Sequence, residues 1–135
     1  MIFLDSDVLL DVGLARQPYA QPMVELLNRL ERNQDLAFIA WHTVSNLFYL
    51  MNRVHRGAAA REFILELLRF VQVAPTGAEA VRYAASLPVP DFEDAMQIAA
   101  ARACGADCIV TRNLRDYERS PIPAITPQEA LDRLR

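Results

Sequence analysis

The feature that most constrains this chain is an alternation in which short apolar runs rich in Ile, Val and Phe are separated by longer segments of helical spacing. Runs too short for helices and predominantly apolar read as strands buried on both faces, the condition of a parallel sheet covered by helices. They fall at residues 2–4, 36–40, 71–73, 108–111 and 124–125. Between them, residues 17–32 place Ala20, Met23, Leu26, Leu27 and Leu30 on one stripe. Residues 42–55 do the same with Val44, Leu47, Phe48 and Met51, before Gly57. A further helix is expected over 58–70, and Thr76 is placed to cap one that runs to Ser86. Pro88 and Pro90 break the chain ahead of an alanine-rich helix opened by Asp91 and stopped by Gly105, and Pro127 opens a last one through Leu134. The expected fold is α/β: one three-layer α/β/α, Rossmann-like domain over residues 1–135 with a mainly parallel sheet of four to five strands.

Composition narrows the function classes. A hydrophobic content of 53% over 135 residues is enough for a core. No apolar run approaches the roughly 20 residues that span a bilayer. The opening Met1-Ile2-Phe3-Leu4-Asp5 lacks a basic leader, so a cytoplasmic protein is expected. The net charge is -3, and the 14 basic residues are all arginine. A basic field over the whole protein is therefore absent, and a nucleic-acid partner would have to be drawn by local arginines and bound cations. Cys104 and Cys108 have no accompanying Cys or His cluster and read as buried free thiols. His42 and His55 read as structural or solvated.

Chemistry concentrates in the carboxylates. Ligands of an open parallel sheet bind beyond the C-terminal ends of its strands. Asp5 follows the first strand, and Thr111-Arg112-Asn113-Leu114-Arg115-Asp116 follows the fourth. The connections of such a sheet deliver helix N-termini to the same edge, so Asp91 and Asp94 are expected there too. Acidic groups gathered from distant positions repel one another, and a divalent cation is the usual reason to accept that cost. Hard oxygen ligands that hold Mg²⁺ or Mn²⁺ suit phosphodiester hydrolysis without a His or Ser nucleophile. Each residue also has a plainer reading. Asp5 fits a cap or turn residue, and Asp91 and Asp94 fit an N-cap with its N3 partner, the role favoured for Asp91. Thr111 fits a strand residue, Asp116 a loop carboxylate, and Asp7 and Asp11 solvated side chains.

Leu4-Asp5-Ser6-Asp7-Val8-Leu9-Leu10-Asp11 resembles the opening of PIN-domain proteins. Pro90-Asp91-Phe92-Glu93-Asp94-Ala95-Met96-Gln97, then Gly105-Ala106-Asp107, then Ile109 through Tyr117, resemble the C-terminal half of that family, as does the ending Ile122 through Leu131. The resemblance covers the whole chain in order. It implies a three-layer fold, Mg²⁺- or Mn²⁺-dependent endonucleolytic cleavage of single-stranded or structured RNA, and a homodimer. It also implies a toxin of the VapC type in a bacterial toxin–antitoxin module, with a cognate antitoxin as partner. Carried over residue by residue, Asp5 is the first metal-binding carboxylate and Asp94 the acidic residue at the helix start. Asp116, or Asn113, holds the acidic position after the fourth strand, with Thr111 in support. Many members carry Glu where this chain has Asn46, an amide that accepts a metal contact but adds no charge. One branch carries Asn there. Asp7 replaces the customary Asn and restores some charge. Arg112 and Arg115 stand beside the site as phosphate contacts or as ordinary surface arginines, and Arg53 and Arg56 are similarly open.

Two other readings compete. The Asp5-Ser6-Asp7-Val8 segment also fits haloacid-dehalogenase-like phosphatases, whose first Asp is a nucleophile. Those enzymes usually need a lysine, and this chain has none. A non-catalytic PIN-type module that binds RNA or protein is the closer rival, because of Asn46.

Overall fold

The computed structural model describes residues 1–134. Its strands are short because each one only threads the core: β1 (Ile2–Leu4), β2 (Ala37–Ile39), β3 (Gln72–Val73), β4 (Cys108–Val110) and β5 (Ala124–Ile125). All pairings are parallel and the order is β3-β2-β1-β4-β5. Central β1 pairs on both sides, Ile2 with Ala37 and with Cys108. The chain adds β2 and β3 on one side of β1 and then crosses over to add β4 and β5 on the other. The winding therefore reverses between β1 and β4, where a crevice opens beyond the strand ends.

Seven helices among the described residues cover the sheet: α1 (Ser6–Gly13), α2 (Ala20–Asn33), α3 (Trp41–Val54), α4 (Ala59–Leu67), α5 (Ala78–Ser86), α6 (Phe92–Ala103) and α7 (Pro127–Arg133). Alternation along β1 sends Leu4 to one face, where α1, α2, α3, α4 and α7 supply Leu9, Met23, Leu26, Leu30, Leu47, Leu67 and Leu131. Phe3 goes to the other face, against Phe38, Ile109 and the Ile98, Ala100 and Ala101 side of α6. The small residues of α6 also let α5 pack close, through Ala84, Ala95 and Ala99. The three-layer expectation thus holds, with five strands. No described helix is long and apolar enough to cross a membrane.

The structure corrects several sequence expectations. The helix expected from Gln17 begins at Ala20, because Pro18 disfavours helical backbone at Gln17. Helix α1 is absent from the sequence reading; Val8, Leu9 and Leu10 are consecutive and all buried, so no polar face marks the helical period. Thr76 does not cap α5, whose N-cap is Gly77, with no side-chain bond. Helix α6 ends where Gly105 takes φ +72, as its glycine led one to expect. Cys104 and Cys108 are free thiols, the second buried and the first half-buried.

Candidate metal and phosphate site

Asp5 leaves β1 in extended backbone and becomes the N-cap of α1, its Oδ1 accepting from Ser6 N at 2.7 Å. The cap reading of Asp5 therefore holds. Gln97 Nε2 donates to Oδ1 at 3.0 Å, and Thr111 Oγ1 and Tyr117 Oη each donate to Oδ2 at 2.9 Å. Asp5 is 6% exposed. Burial raises its carboxyl above the ordinary range even though these donors pull the other way. Tyr117, buried beside that charge, has its hydroxyl pushed far upward and stays a proton donor to Asp5. Gln97 Nε2 also reaches Ser6 Oγ at 2.9 Å and Thr43 Oγ1 at 3.3 Å, which ties α6 and α3 to the start of α1.

Asp7 lies two residues on, in the first turn of α1. Its Oδ2 accepts from Asn113 Nδ2 at 2.9 Å, Arg112 N at 3.2 Å and the Thr111 hydroxyl at 3.3 Å. Its Oδ1 is buried without a hydrogen-bond partner. Burial and the nearby Asp5 charge push this carboxyl up to about 6. Asn113 is thus a clamp on Asp7, whereas Asp116, on the turn at Leu114–Tyr117, faces Asp94.

Asp91 is the N-cap of α6 and accepts from Asp94 N at 3.1 Å. Asp94 projects half-buried from the first turn, lining a groove with Asp91, Arg115 and Asp116 beside Pro88 and Pro90. Burial comes first, then Asp91, Asp5, Asp116 and Glu93, in pushing its carboxyl up to about 7. Asn46 donates to Glu93 Oε1 at 2.9 Å, so the amide of α3 carries a carboxylate of α6 at the corner where it has none of its own. Burial, Asp5 and Asp91 raise Glu93 as well.

Asp11 is not solvated. It is 1% exposed, accepts from Arg112 Nε at 2.9 Å and Nη2 at 3.1 Å, and meets Arg16 Nε at 3.0 Å. A carboxylate on the inner face of α1 has no water to solvate it and needs such partners. The Arg112 guanidinium also stacks 4.0 Å from the Tyr19 ring, which commits it to the fold and away from phosphate. Arg112→Ala should cost about 1.5–3 kcal/mol, the worth of charge-assisted bonds. Urea unfolding checks this; an unchanged midpoint would leave Arg112 free for a ligand role. Arg115 is exposed in the Asp94 groove.

Glu93, Gln97, Tyr117, Ser6 and Thr43 were not singled out from sequence. The signal for Gln97 was its i+3 relation to Asp94 on a helix. The others depend on tertiary contact. As they stand, no three Asp, Glu, His or Cys side chains among the described residues are gathered tightly enough to hold one ion together. The donor chemistry still fits a hydrated divalent cation. Mg²⁺ keeps several waters and takes one or two carboxylates, and the site offers hard oxygens in mutual repulsion and an orphaned Asp7 oxygen.

An all-parallel sheet with acidic side chains lining the crevice beyond its strand ends defines a Rossmann-like α/β domain. The sequence matches the PIN domain over residues 1–115, and the chain belongs to that family. Among solved structures it is similar to VapBC2 from Rickettsia felis, bound to a DNA fragment from its promoter. That match has 16% identity and a TM-score of 0.72, covering 93% of this chain and 98% of that one. FitAcB from Neisseria gonorrhoeae is similar at 17% identity and TM-score 0.68, covering 94% and 98% of the two chains. The sarcin-ricin loop cleaving toxin VapC20 from Mycobacterium tuberculosis is similar at 20% identity and TM-score 0.64, covering 81% and 87%. No curated protein matches the sequence.

Proposed function

We propose that the protein is a divalent-metal-dependent endoribonuclease that hydrolyses RNA phosphodiester bonds, acting as the toxin of a toxin–antitoxin pair. The observation that carries this reading is the groove in which Asp94, half-buried, stands with Asp91 and Asp116, its carboxyl pushed up to about 7 by burial first and then by Asp91, Asp5 and Asp116. PIN-domain proteins are typically nucleases that use divalent metals, one similar structure is described as cleaving the sarcin-ricin loop, and others are VapBC or FitAB assemblies on DNA. Asp5, Asp94 and Asp116 would hold Mg²⁺ or Mn²⁺, with Asp7 and the Asn46-supported Glu93 adding negative charge. A bound cation supplies Lewis acidity and charge neutralisation at the phosphate. Thr111, Tyr117 and Gln97 fix the Asp5 carboxylate, and Arg115 offers a phosphate contact at the groove.

Purified protein should cleave single-stranded RNA with Mn²⁺ and lose that activity in EDTA. No cleavage of any RNA, together with no Mn²⁺ bound in a titration, would favour the non-catalytic binding module. The phosphatase reading is disfavoured because such enzymes usually stabilise a phosphoryl intermediate with a lysine, and this chain has none.

A homodimer and an antitoxin are proposed as partners. The apolar stripes of α3 and α4 divide: Leu67 is core, while Tyr49, Val54, Leu65 and Leu68 are exposed. Light scattering is expected to give twice the 15.2 kDa of one chain. A monomer at high concentration would remove the dimer from the proposal.

A further inference from the structure

We propose that the cavity between the start of α3, α5 and α6 receives one unpaired nucleobase of the RNA strand whose phosphate lies at the acidic site. This rests on the ribonuclease reading and adds to it the place where the strand is gripped. The cavity holds about 180 Å³ between Ala40, His42, Ala80, Met96, Ala99 and Ala100. A cavity of about 150 Å³ admits a benzene ring, so this one has room for a single-ring base.

Three observations converge on a base. The walls are apolar, which suits the flat faces of an aromatic ring, and Trp41 stands at the same cavity 75% exposed. Tryptophan is usually well buried, so an indole in water beside an apolar cavity is a ready stacking surface. His42 Nε2 is hidden at the cavity without a hydrogen-bond partner, whereas buried polar atoms ordinarily have one. A small turn of that ring would bring the nitrogen to the polar edge of a base. Position gives the third observation. On α3, His42 lines the cavity while Thr43 bonds Ser6 and Gln97; on α6, Met96 lines it while Gln97 bonds Asp5. Cavity and carboxylate thus draw on consecutive residues of α3 and of α6, helices that both start beyond the C-terminal ends of the strands. Single-stranded RNA is commonly held by splayed bases stacked on aromatic side chains.

Trp41 is the only tryptophan in the chain, so its fluorescence reports the indole at the cavity mouth, and the Ala80→Leu variant tells the cavity from the α3–α4 surface that Trp41 also borders. The wild-type protein in EDTA is titrated with a short oligouridine and with an abasic oligonucleotide carrying the same phosphates. Oligouridine should quench Trp41, and the abasic strand should bind about 5- to 150-fold more weakly without quenching. Ala80→Leu, which fills the cavity and leaves Trp41 in place, should bring oligouridine down to the abasic affinity. Trp41→Leu, followed by anisotropy of labelled RNA, should do the same. Equal binding of both strands with unchanged Trp41 emission would overturn the proposal. So would a Trp41 emission shift that follows protein concentration without RNA, since a second copy would then cover the indole. If wild-type protein cleaves RNA with Mn²⁺ while these titrations fail, the cavity assignment alone falls. If RNA is neither bound nor cleaved, the nuclease reading falls with it.

Discussion

Asp94→Asn should lower RNA cleavage by about 10²–10⁴-fold, the range spanned by loss of a positioned catalytic group, and leave the fold intact. The residue is half-buried at the start of α6, where its backbone N–H, not its carboxylate, meets the Asp91 cap, so the amide disturbs nothing structural. Asp5→Asn should lose comparable activity but also some stability, because its four donors meet an amide in place of a carboxylate. Tyr117→Phe removes one donor to Asp5 and should cost about 10–100-fold in metal affinity or activity, as supports of ligating groups do. Gel assays on one RNA, paired with Mn²⁺ titration calorimetry, separate these effects. Cleavage that persists unchanged in both Asp variants would overturn the site.

The second large effect is on stability against pH. Asp94 and Asp7 titrate near 7 and 6 in the folded protein, whereas an unfolded aspartate titrates near about 3.9. Between those values the native state holds protons that the unfolded chain has released. In EDTA, stability contributed by these groups should therefore fall as pH rises from about 4 to about 7 and then level off. The lowered His42 works in the opposite sense just below about 6.5, and partly offsets the slope. Mn²⁺ at about 100 times its Kd should restore about 2.7 kcal/mol at pH 8. At pH 5, where Asp94 is protonated, the metal should raise Tm little. Asp94→Asn should flatten the pH slope and abolish the Mn²⁺ gain. Scanning calorimetry at pH 5 and 8 checks both, and a Tm in EDTA that rises between those pH values would contradict the assigned shifts.

Legibility varied with the range of the interaction. All five strands were readable as short, mainly apolar runs, the mark of strands covered on their faces, with β3 the weakest signal because Gln72 interrupts it. The Pro88-Pro90 break, the Asp91 cap and the Gly105 stop were readable because proline and glycine act on their own backbone. Helix α1 was not, since its buried residues lie side by side. Asp11 misled for the same reason: nothing beside it in sequence shows that it faces inward, and Arg112, which answers it, lies 101 positions away.

Of the carboxylate pair Asp5 and Asp94, the amino-acid sequence by itself determined the chemical type, the strand end or helix start that bears each, and the edge of the sheet where both must emerge. Those follow from local periodicity and from the rule that parallel strands present one common edge. Only the tertiary structure decided what surrounds them. It set Tyr117, Thr111 and Gln97 on Asp5, lent Glu93 to the corner that Asn46 leaves uncharged, and took Arg112 away to Asp11. Hydrogen bonds and burial between distant segments depend on three-dimensional packing, which no local window of residues encodes.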